Sequence, residues 1–541
     1  MCPFGVLFLF CLSYIFIKSF ERQMFFLDRL KKFFINGILM TAVTIGIRYV
    51  SVSFNIYINN KIGAVAMGLF TLISSVYGFA LTLATSGISL ATTKLVSEAL
   101  GGVEEERRAS TVKAIMKKSL LFSFFISLGV SVGLYLLSPY ISENLLKDAR
   151  TLNALRVLSL SLVPIALSSS MSGYFIAIRK VHKNASVQVF GQAIRIFLCI
   201  YLLNAIFAHD TESACLAIIW GGTVAEAASF LIHLLSFLID IKKQKTKGKA
   251  DALLPKKLIP FTLPVAFSAY VRSALVTVEH LLIPWGLEKS GSGRDLSLAA
   301  YGTLHSIVFP FVLFPSAISS SFAGLLVPEI SESAAANDTA RIERIISRVL
   351  KTVLIYSIGV AGVMICLSSE LGTVFCSDIS SVQYIALIAP LIPVMYLDTS
   401  VDSILKGLGH QFYCMIINIV DALLSVILVW ILLPRYGIMG YVITVYFTET
   451  VNATLSITKL ILVSKIKFKI FDWLAKPLLS IILSCTAVSF ILTELAVAEA
   501  TKLAVTTHIL AISAIYLLLL IFLRAVSVKR IKRSVVNFFK A

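Results

Sequence analysis

The chain has 541 residues, 58% of them hydrophobic and 14% charged, with a net charge of +19. A soluble chain carries about a quarter charged residues, and apolar runs recur here along nearly the whole length, so a string of water-soluble domains is excluded. The positive charge sits in short loops between apolar runs, which is the pattern of a membrane protein and not of a nucleic-acid partner.

Residues 1–17 are apolar and uncharged. They lack the charged leading region and the small-residue cleavage site of a signal peptide. Two readings stand: a short extra helix, or a start placed too early, with Met24 opening the regular pattern. Fourteen apolar segments follow, near residues 33–58, 64–93, 119–138, 152–178, 184–206, 213–239, 258–285, 297–326, 350–369, 382–405, 412–433, 438–462, 475–493 and 503–523. Each is long enough to cross a bilayer, which takes about 20 residues. In lipid they must be helices, because unpaired backbone groups have no water to turn to. The expected fold is therefore all-α and integral to the membrane, with about 14 transmembrane helices.

Loop charge tests that number. Lys and Arg within 18–32, 107–118, 179–183, 242–257, 341–351, 406, 465–476 and 524–540 total 35. The intervening loops hold Lys61, Lys147, Arg150, Lys289, Arg294, Arg435 and Lys502, a total of 7. Such alternation places both termini in the cytoplasm and supports an even number of helices.

An internal repeat organises the segments. Gly68 falls on Gly302 and Ser97–Glu98 on Ser331–Glu332 at one offset, and Pro164 on Pro393 and Gln192 on Asp421 at another. Two six-helix units of the same topology follow, related by an axis along the membrane normal. The expected divisions are an extension and basic segment at 1–32, an N-lobe at 33–239, a basic linker at 240–257, a C-lobe at 258–463, and two further helices with a basic tail at 464–541.

Ionisable groups within spans cost a few kcal/mol and usually face a bundle interior or a water-filled cavity. Arg48 lies 16 residues past Lys32 and Arg272 lies 15 past Lys257. At the helical rise, both sit roughly 22–24 Å from a cytoplasmic anchor. Arg195, 12 residues past Lys183, falls near mid-depth. One reading is a cationic cavity between the halves that receives a pyrophosphate, which the planar guanidinium suits. The other is internal pairing with Glu226, Glu279, Asp398 or Asp421. Lys94 and Glu98 share one face near the cytoplasmic end of a long second helix, as an inner gate or as a surface pair. Asp398 and Asp402, one turn apart, bind a coupling cation or proton, or neutralise the arginines.

Prolines interrupt four spans, at Pro164, at Pro260 and Pro264, at Pro310 and Pro315, and at Pro390 and Pro393. Such breaks supply bending points. The serines at 168–170 and at 316 and 319–321 either line a polar cavity or pack helices, and packing is also expected of Gly129 and Gly133. The eight cysteines form no CxxC pair and read as small buried hydrophobes. No zincin, nucleophile-elbow or P-loop motif is present, so no catalytic residue, metal site or cofactor is expected. His280 beside Glu279 reads as an interior histidine.

The run from Gly87 through Lys94 to Glu98, and the run from Phe314-Pro315 through Leu326-Val-Pro-Glu329 to Glu332, resemble the stage V sporulation protein B group. That group lies in the polysaccharide-transporter branch of the multidrug/oligosaccharidyl-lipid/polysaccharide (MOP) exporter superfamily, and the resemblance spans about residues 30–525. It implies two six-helix lobes in a V shape and two extra C-terminal helices in a bacterial cytoplasmic membrane. It also implies flipping of undecaprenyl-pyrophosphate-linked saccharides by alternating access, driven by a coupling cation or the membrane potential, with membrane lipids as the other partners. Lipid II flippases of the MurJ type are similar in carrying cavity arginines in helix 1, and Arg48 is the position that fits. The rival readings are a cation-coupled drug exporter of the same superfamily, and a membrane-embedded glycosyltransferase or ligase. Short outer loops count against the last.

Overall fold

The computed structural model describes residues 28–206, 211–242, 251, 253–335, 338–376, 379–464, 466, 471–494 and 502–525. The apolar extension before Met24 lies outside them. Among the described residues there is no strand. Twelve helical stretches are long and apolar enough to cross a membrane. Two more long helices, α1 (Asp28–Ile62) and one over Ile438–Ser464, stand where the first and twelfth spans are expected.

In chain order the helices after α1 are α2 (Ala64–Thr85), α3 (Ile88–Gly102), α4 (Glu105–Tyr140), α5 (Leu152–Ala177), α6 (Val181–Ile206), α7 (Thr211–Lys242), α8 (Leu258–Lys289) and α9 (Arg294–Gly302). Then come α10 (Phe309–Leu313), α11 (Ser316–Ala335), α12 (Thr339–Cys366), α13 (Ser368–Leu371), α14 (Ile379–Ile388), α15 (Ile392–Gly407), α16 (Gln411–Tyr436), α17 (Ile438–Ser464), α18 (Lys476–Glu494) and α19 (Lys502–Phe522).

The chain forms two compact units that interleave in sequence. One holds residues up to Ile56, Thr303–Asp421 and Tyr441 onward; the other holds Tyr57–Gly302 and Ala422–Gly440. These are packing units, whereas the repeat defines sequential ones.

In the Tyr57–Gly302 unit, hydroxyls tie the interior. Thr92 and Ser119 share a hydrogen bond of 2.6 Å, as do Ser123 and Ser170. Ser131 donates to the Ser159 carbonyl at 2.7 Å. Ser170 thus serves helix packing and lines no cavity. Leu95, Ile115, Met116, Tyr174 and Phe175, all nearly inaccessible, pack around this end with Leu254 and Leu258. A Cβ on Gly68 would collide with the Leu298 carbonyl, and one on Gly302 would lie 2.5 Å from the Gly68 nitrogen. The two glycines matched by the repeat therefore touch each other where α2 crosses α9. A Cβ on Gly129 or Gly133 would meet nothing within 4 Å, which corrects their expected packing role: among the described residues nothing stands against these two positions of α4.

The long second helix is in fact two. It breaks at Ser86–Gly87, where Gly87 has φ +76° and would place a Cβ 2.9 Å from the Thr262 carbonyl. A left-handed residue pressed against α8 admits only glycine easily. The prolines behave unequally. Pro164 and Pro264 sit inside continuous helices, while the chain breaks at Phe314–Pro315 and tightens at Ala389–Leu391 around Pro390. The eighth span also carries a wider π-helical turn over Thr303–Val308.

In the other unit, the C-terminal helices dock on α12 through small residues. A Cβ on Gly362 would strike Ile481 of α18, and one on Gly359 would lie 2.7 Å from the Tyr516 ring of α19. Cys485 contacts the Gly362 carbonyl at 3.7 Å, and four residues on in both helices Cys366 meets Ser489 at 3.9 Å. Contacts advance together, so α12 and α18 run parallel. Tyr516 donates to the Ile355 carbonyl at 2.8 Å while His508 meets Glu370 at 2.9 Å, so α19 runs against α12. Those directions are what alternating spans require.

Candidate functional site

Arg48 lies on α1 and is exposed. Its guanidinium donates to Ser316 Oγ at 3.3 Å, at the first residue of α11. The neighbouring Tyr49 packs its ring against Phe314, 6.0 Å between centroids. The Pro315 break frees carbonyls that lipid cannot solvate. Buried tyrosines recover them: Tyr396 donates to the Val312 carbonyl at 3.0 Å and Tyr356 to the Pro315 carbonyl at 2.9 Å. Arg48 thus faces a helix start whose dipole end is positive, held in place by two hydroxyls that sequence spacing does not reveal.

Arg272 lies on α8 and is exposed. One residue on, Ser273 donates to Thr82 at 3.1 Å, and Tyr270 donates to the Leu83 carbonyl at 3.2 Å. Those bonds fix α8 against the end of α2. Among the described residues neither Arg48 nor Arg272 forms an ion pair. Arg195 differs. It is partly buried on α6, Glu226 on α7 lies within its field, and both charges act on Tyr77. Tyr77 and Ser161 share a hydrogen bond of 2.6 Å. Of the acids expected as partners for the arginines, Glu226 is within electrostatic reach of Arg195.

Lys94 and Glu98 are exposed on α3. The Lys94 ammonium stands 4.1 Å over the Phe261 ring of α8, a cation–π contact that joins the end of α3 to α8. Asp402 pairs with Lys406 on its own helix at 3.1 Å. Asp398 accepts from Asn452 of α17 at 3.5 Å, and Ser456 lies beside it. The Asp402 and Asp421 carboxylates add negative charge around it. Among the described residues no three His, Cys, Asp or Glu side chains converge to hold a metal. His280 shares a hydrogen bond of 2.8 Å with the fully buried Tyr301, as an interior histidine would.

An ion cluster with no signal in sequence spacing stands at the turns after α4 and α8. Arg150 binds Asp148 through both oxygens, at 2.9 and 2.7 Å. Arg294 reaches Glu288 at 2.7 Å and the Leu146 carbonyl at 2.6 Å. Burial opposes ionisation of Asp148, but Arg150 and Arg294 outweigh it and hold the carboxyl below its ordinary value. These cations entered the loop-charge pattern only as signs of orientation.

Residues 33–334 match the family model described as polysaccharide biosynthesis protein, and residues 290–431 match the model MatE. The stage V sporulation protein B of Bacillus subtilis is 24% identical over 93% of this chain and 98% of its own. The lipid II flippase MurJ of the same organism is 24% identical over 68% of this chain and 71% of its own. Among solved structures, the lipid II flippase MurJ in an inward closed conformation matches with a TM-score of 0.66 and 16% identity, covering 90% of this chain and 99% of that one. An inward-facing multidrug resistance MATE family transporter of the MOP superfamily matches with a TM-score of 0.61 and 12% identity, over 79% and 98%.

Proposed function

Because the chain belongs to the polysaccharide biosynthesis protein family, whose model covers more than half of it, we propose that it flips undecaprenyl-pyrophosphate-linked saccharides by alternating access. It is a multi-pass transporter of the cytoplasmic membrane and of the MOP superfamily, in the branch of its sporulation and MurJ relatives. Both termini lie in the cytoplasm, as the loop-charge asymmetry supports. The chain then comprises two six-helix repeats and two added helices.

The observation that carries the substrate reading is the pair Arg48 and Arg272. Each is a permanent cation on a membrane helix with no acid beside it among the described residues. Holding such a charge in apolar surroundings costs several kcal/mol, a cost offset when an anionic group binds. A diphosphate offers the paired oxygens a guanidinium grips best. Arg195, balanced by Glu226, contributes charge to the binding region at a lower net cost. Lys94 and Glu98 serve the cytoplasmic gate, with Phe261 as the seat of Lys94. Asp398, surrounded by acids, takes the coupling proton or cation, while Asp402 remains with Lys406.

Native mass spectrometry of the purified protein tests the reading. A copurified lipid-linked saccharide is expected, and its loss in Arg48→Ala and Arg272→Ala. Retention of that lipid in both variants sinks the arginine assignment. The MatE match over 290–431 favours a second reading, cation-coupled export of organic cations. Cation-dependent efflux of such compounds, with no lipid bound, would establish it instead.

A further inference from the structure

The C-terminal helix pair carries chemistry that transport does not use. Cys366 ends α12 and Cys485 sits midway along α18. Far apart in sequence and outside any CxxC motif, they meet because the two helices run parallel and approach closely at Gly362. Each thiol is half-buried. Cys366 Sγ lies 3.9 Å from Ser489 Oγ and Cys485 Sγ lies 3.7 Å from the Gly362 carbonyl. These contacts lie one helical turn apart on the same seam, so the two thiols neighbour each other across it. The remaining free cysteines among the described residues, Cys199, Cys215 and Cys414, are buried.

The surroundings suit thiol exchange. Glu370 and His508, joined at 2.9 Å, lie within electrostatic reach of Cys366. Among the described residues no three potential metal ligands converge here; the two thiols together are a dithiol. Two helices already fixed by glycine contacts also hold the sulfurs in place, and disulfide geometry tolerates little movement.

We propose that Cys366 and Cys485 form a reversible disulfide that fastens α18, and α19 with it, to α12. The oxidant is an organic disulfide. The Cys366 thiol gives up its proton, which the departing thiolate takes up, and the Cys366 thiolate attacks one sulfur of the oxidant. The oxidant's S–S bond breaks, one thiol leaves, and a mixed disulfide remains. Cys485 then displaces the second thiol. Two protein thiols and one external disulfide become one protein disulfide and two external thiols, so atoms and electrons balance. The bond depends on no substrate, so it stands or falls apart from the flippase reading.

The test uses the full chain in detergent, treated with dithiodipyridine, an apolar disulfide able to reach half-buried thiols. Free thiols are then capped with N-ethylmaleimide and the protein is digested for mass spectrometry. A peptide pair linked through Cys366 and Cys485 is expected, with matching loss of both capped peptides and full return after dithiothreitol. Cys199 and Cys414 stay free and unlinked. Capping of both thiols in the oxidised wild-type protein, or two separate pyridyl adducts with no linked peptide, overturns the proposal. Cys366→Ser and Cys485→Ser must each abolish the linked peptide; its persistence in either variant overturns the assignment too.

Discussion

Two helices of this protein are broken, and they are broken by opposite means. Between α2 and α3 the break is a glycine in the left-handed region, pressed against α8, and Tyr270 caps the freed Leu83 carbonyl. Between α10 and α11 it is a proline, and Tyr356 and Tyr396 cap the freed carbonyls of Pro315 and Val312. The first break is sealed by packing. The second faces a guanidinium, since Arg48 binds Ser316 at the new helix start. The same backbone problem is solved with hydroxyls in both places, but only the second solution leaves a positive helix end beside a permanent cation. A broken transmembrane helix is therefore not by itself a binding element; what stands opposite the break decides.

Removing the cation should have the largest effect. Arg48→Ala is expected to lower flipping of a lipid-linked saccharide in proteoliposomes by about tenfold to a hundredfold, since the guanidinium–diphosphate contact it removes is a charge-assisted one worth about 1.5–3 kcal/mol. The protein should still reach the membrane. Arg48→Lys should recover only part of the activity, because an ammonium lacks the planar fork. Full activity in Arg48→Ala would make the two breaks equivalent after all.

Gly87→Val strikes the sealed break. A branched residue at positive φ, with its Cβ against the Thr262 carbonyl, should destabilise the protein by about 1–3 kcal/mol. Thermal unfolding in detergent reads this as a lower midpoint. Tyr396→Phe probes the capped proline break. It leaves the Val312 carbonyl without its donor and should cost about 1–3 kcal/mol, read in the same assay. If Tyr270→Phe costs as much, the two caps bear equal weight and the comparison weakens.

The smallest expected effect is a control away from both breaks. The folded Asp148 carboxyl is held below its ordinary value, chiefly by Arg150 against the opposing pull of burial. Its ionised form therefore stabilises the fold. That contribution is present above about pH 4, the ordinary carboxyl range, and is lost as pH falls through the lowered folded value. Asp148→Asn should flatten the acid limb of a stability–pH curve while leaving Arg48-dependent flipping unchanged. An unaltered acid limb would show that the Arg150 pair carries no stability.

Much of the helical fold was legible because lipid leaves few choices: apolar length marks the spans. The directions of α12, α18 and α19 agree with spans that alternate in direction. The local breaks were less legible. Pro164 and Pro315 look alike in sequence, yet one lies in a continuous helix and the other ends one, because proline only permits a break and neighbouring packing decides it. Gly87 gave no sign of a break, since positive φ depends on α8 pressing from the side. Gly129 and Gly133 looked like a packing motif, yet among the described residues nothing stands against them. Of the candidate site, spacing places Arg48 and Arg272 within spans, and both lie on long helices. The Glu226 charge within reach of Arg195, the Lys406 partner of Asp402 and the Phe261 seat of Lys94 are tertiary facts with no periodic signal.

The contact of Gly68 with Gly302 has a historical consequence. On the repeat register proposed here, the two are one ancestral residue, met twice. A point and its image can touch only close to the rotation axis that relates them. In an unfused ancestor assembled from two copies of a six-helix chain, that glycine would have faced itself across the dimer. Any side chain there would have been doubled, clashing with its own copy.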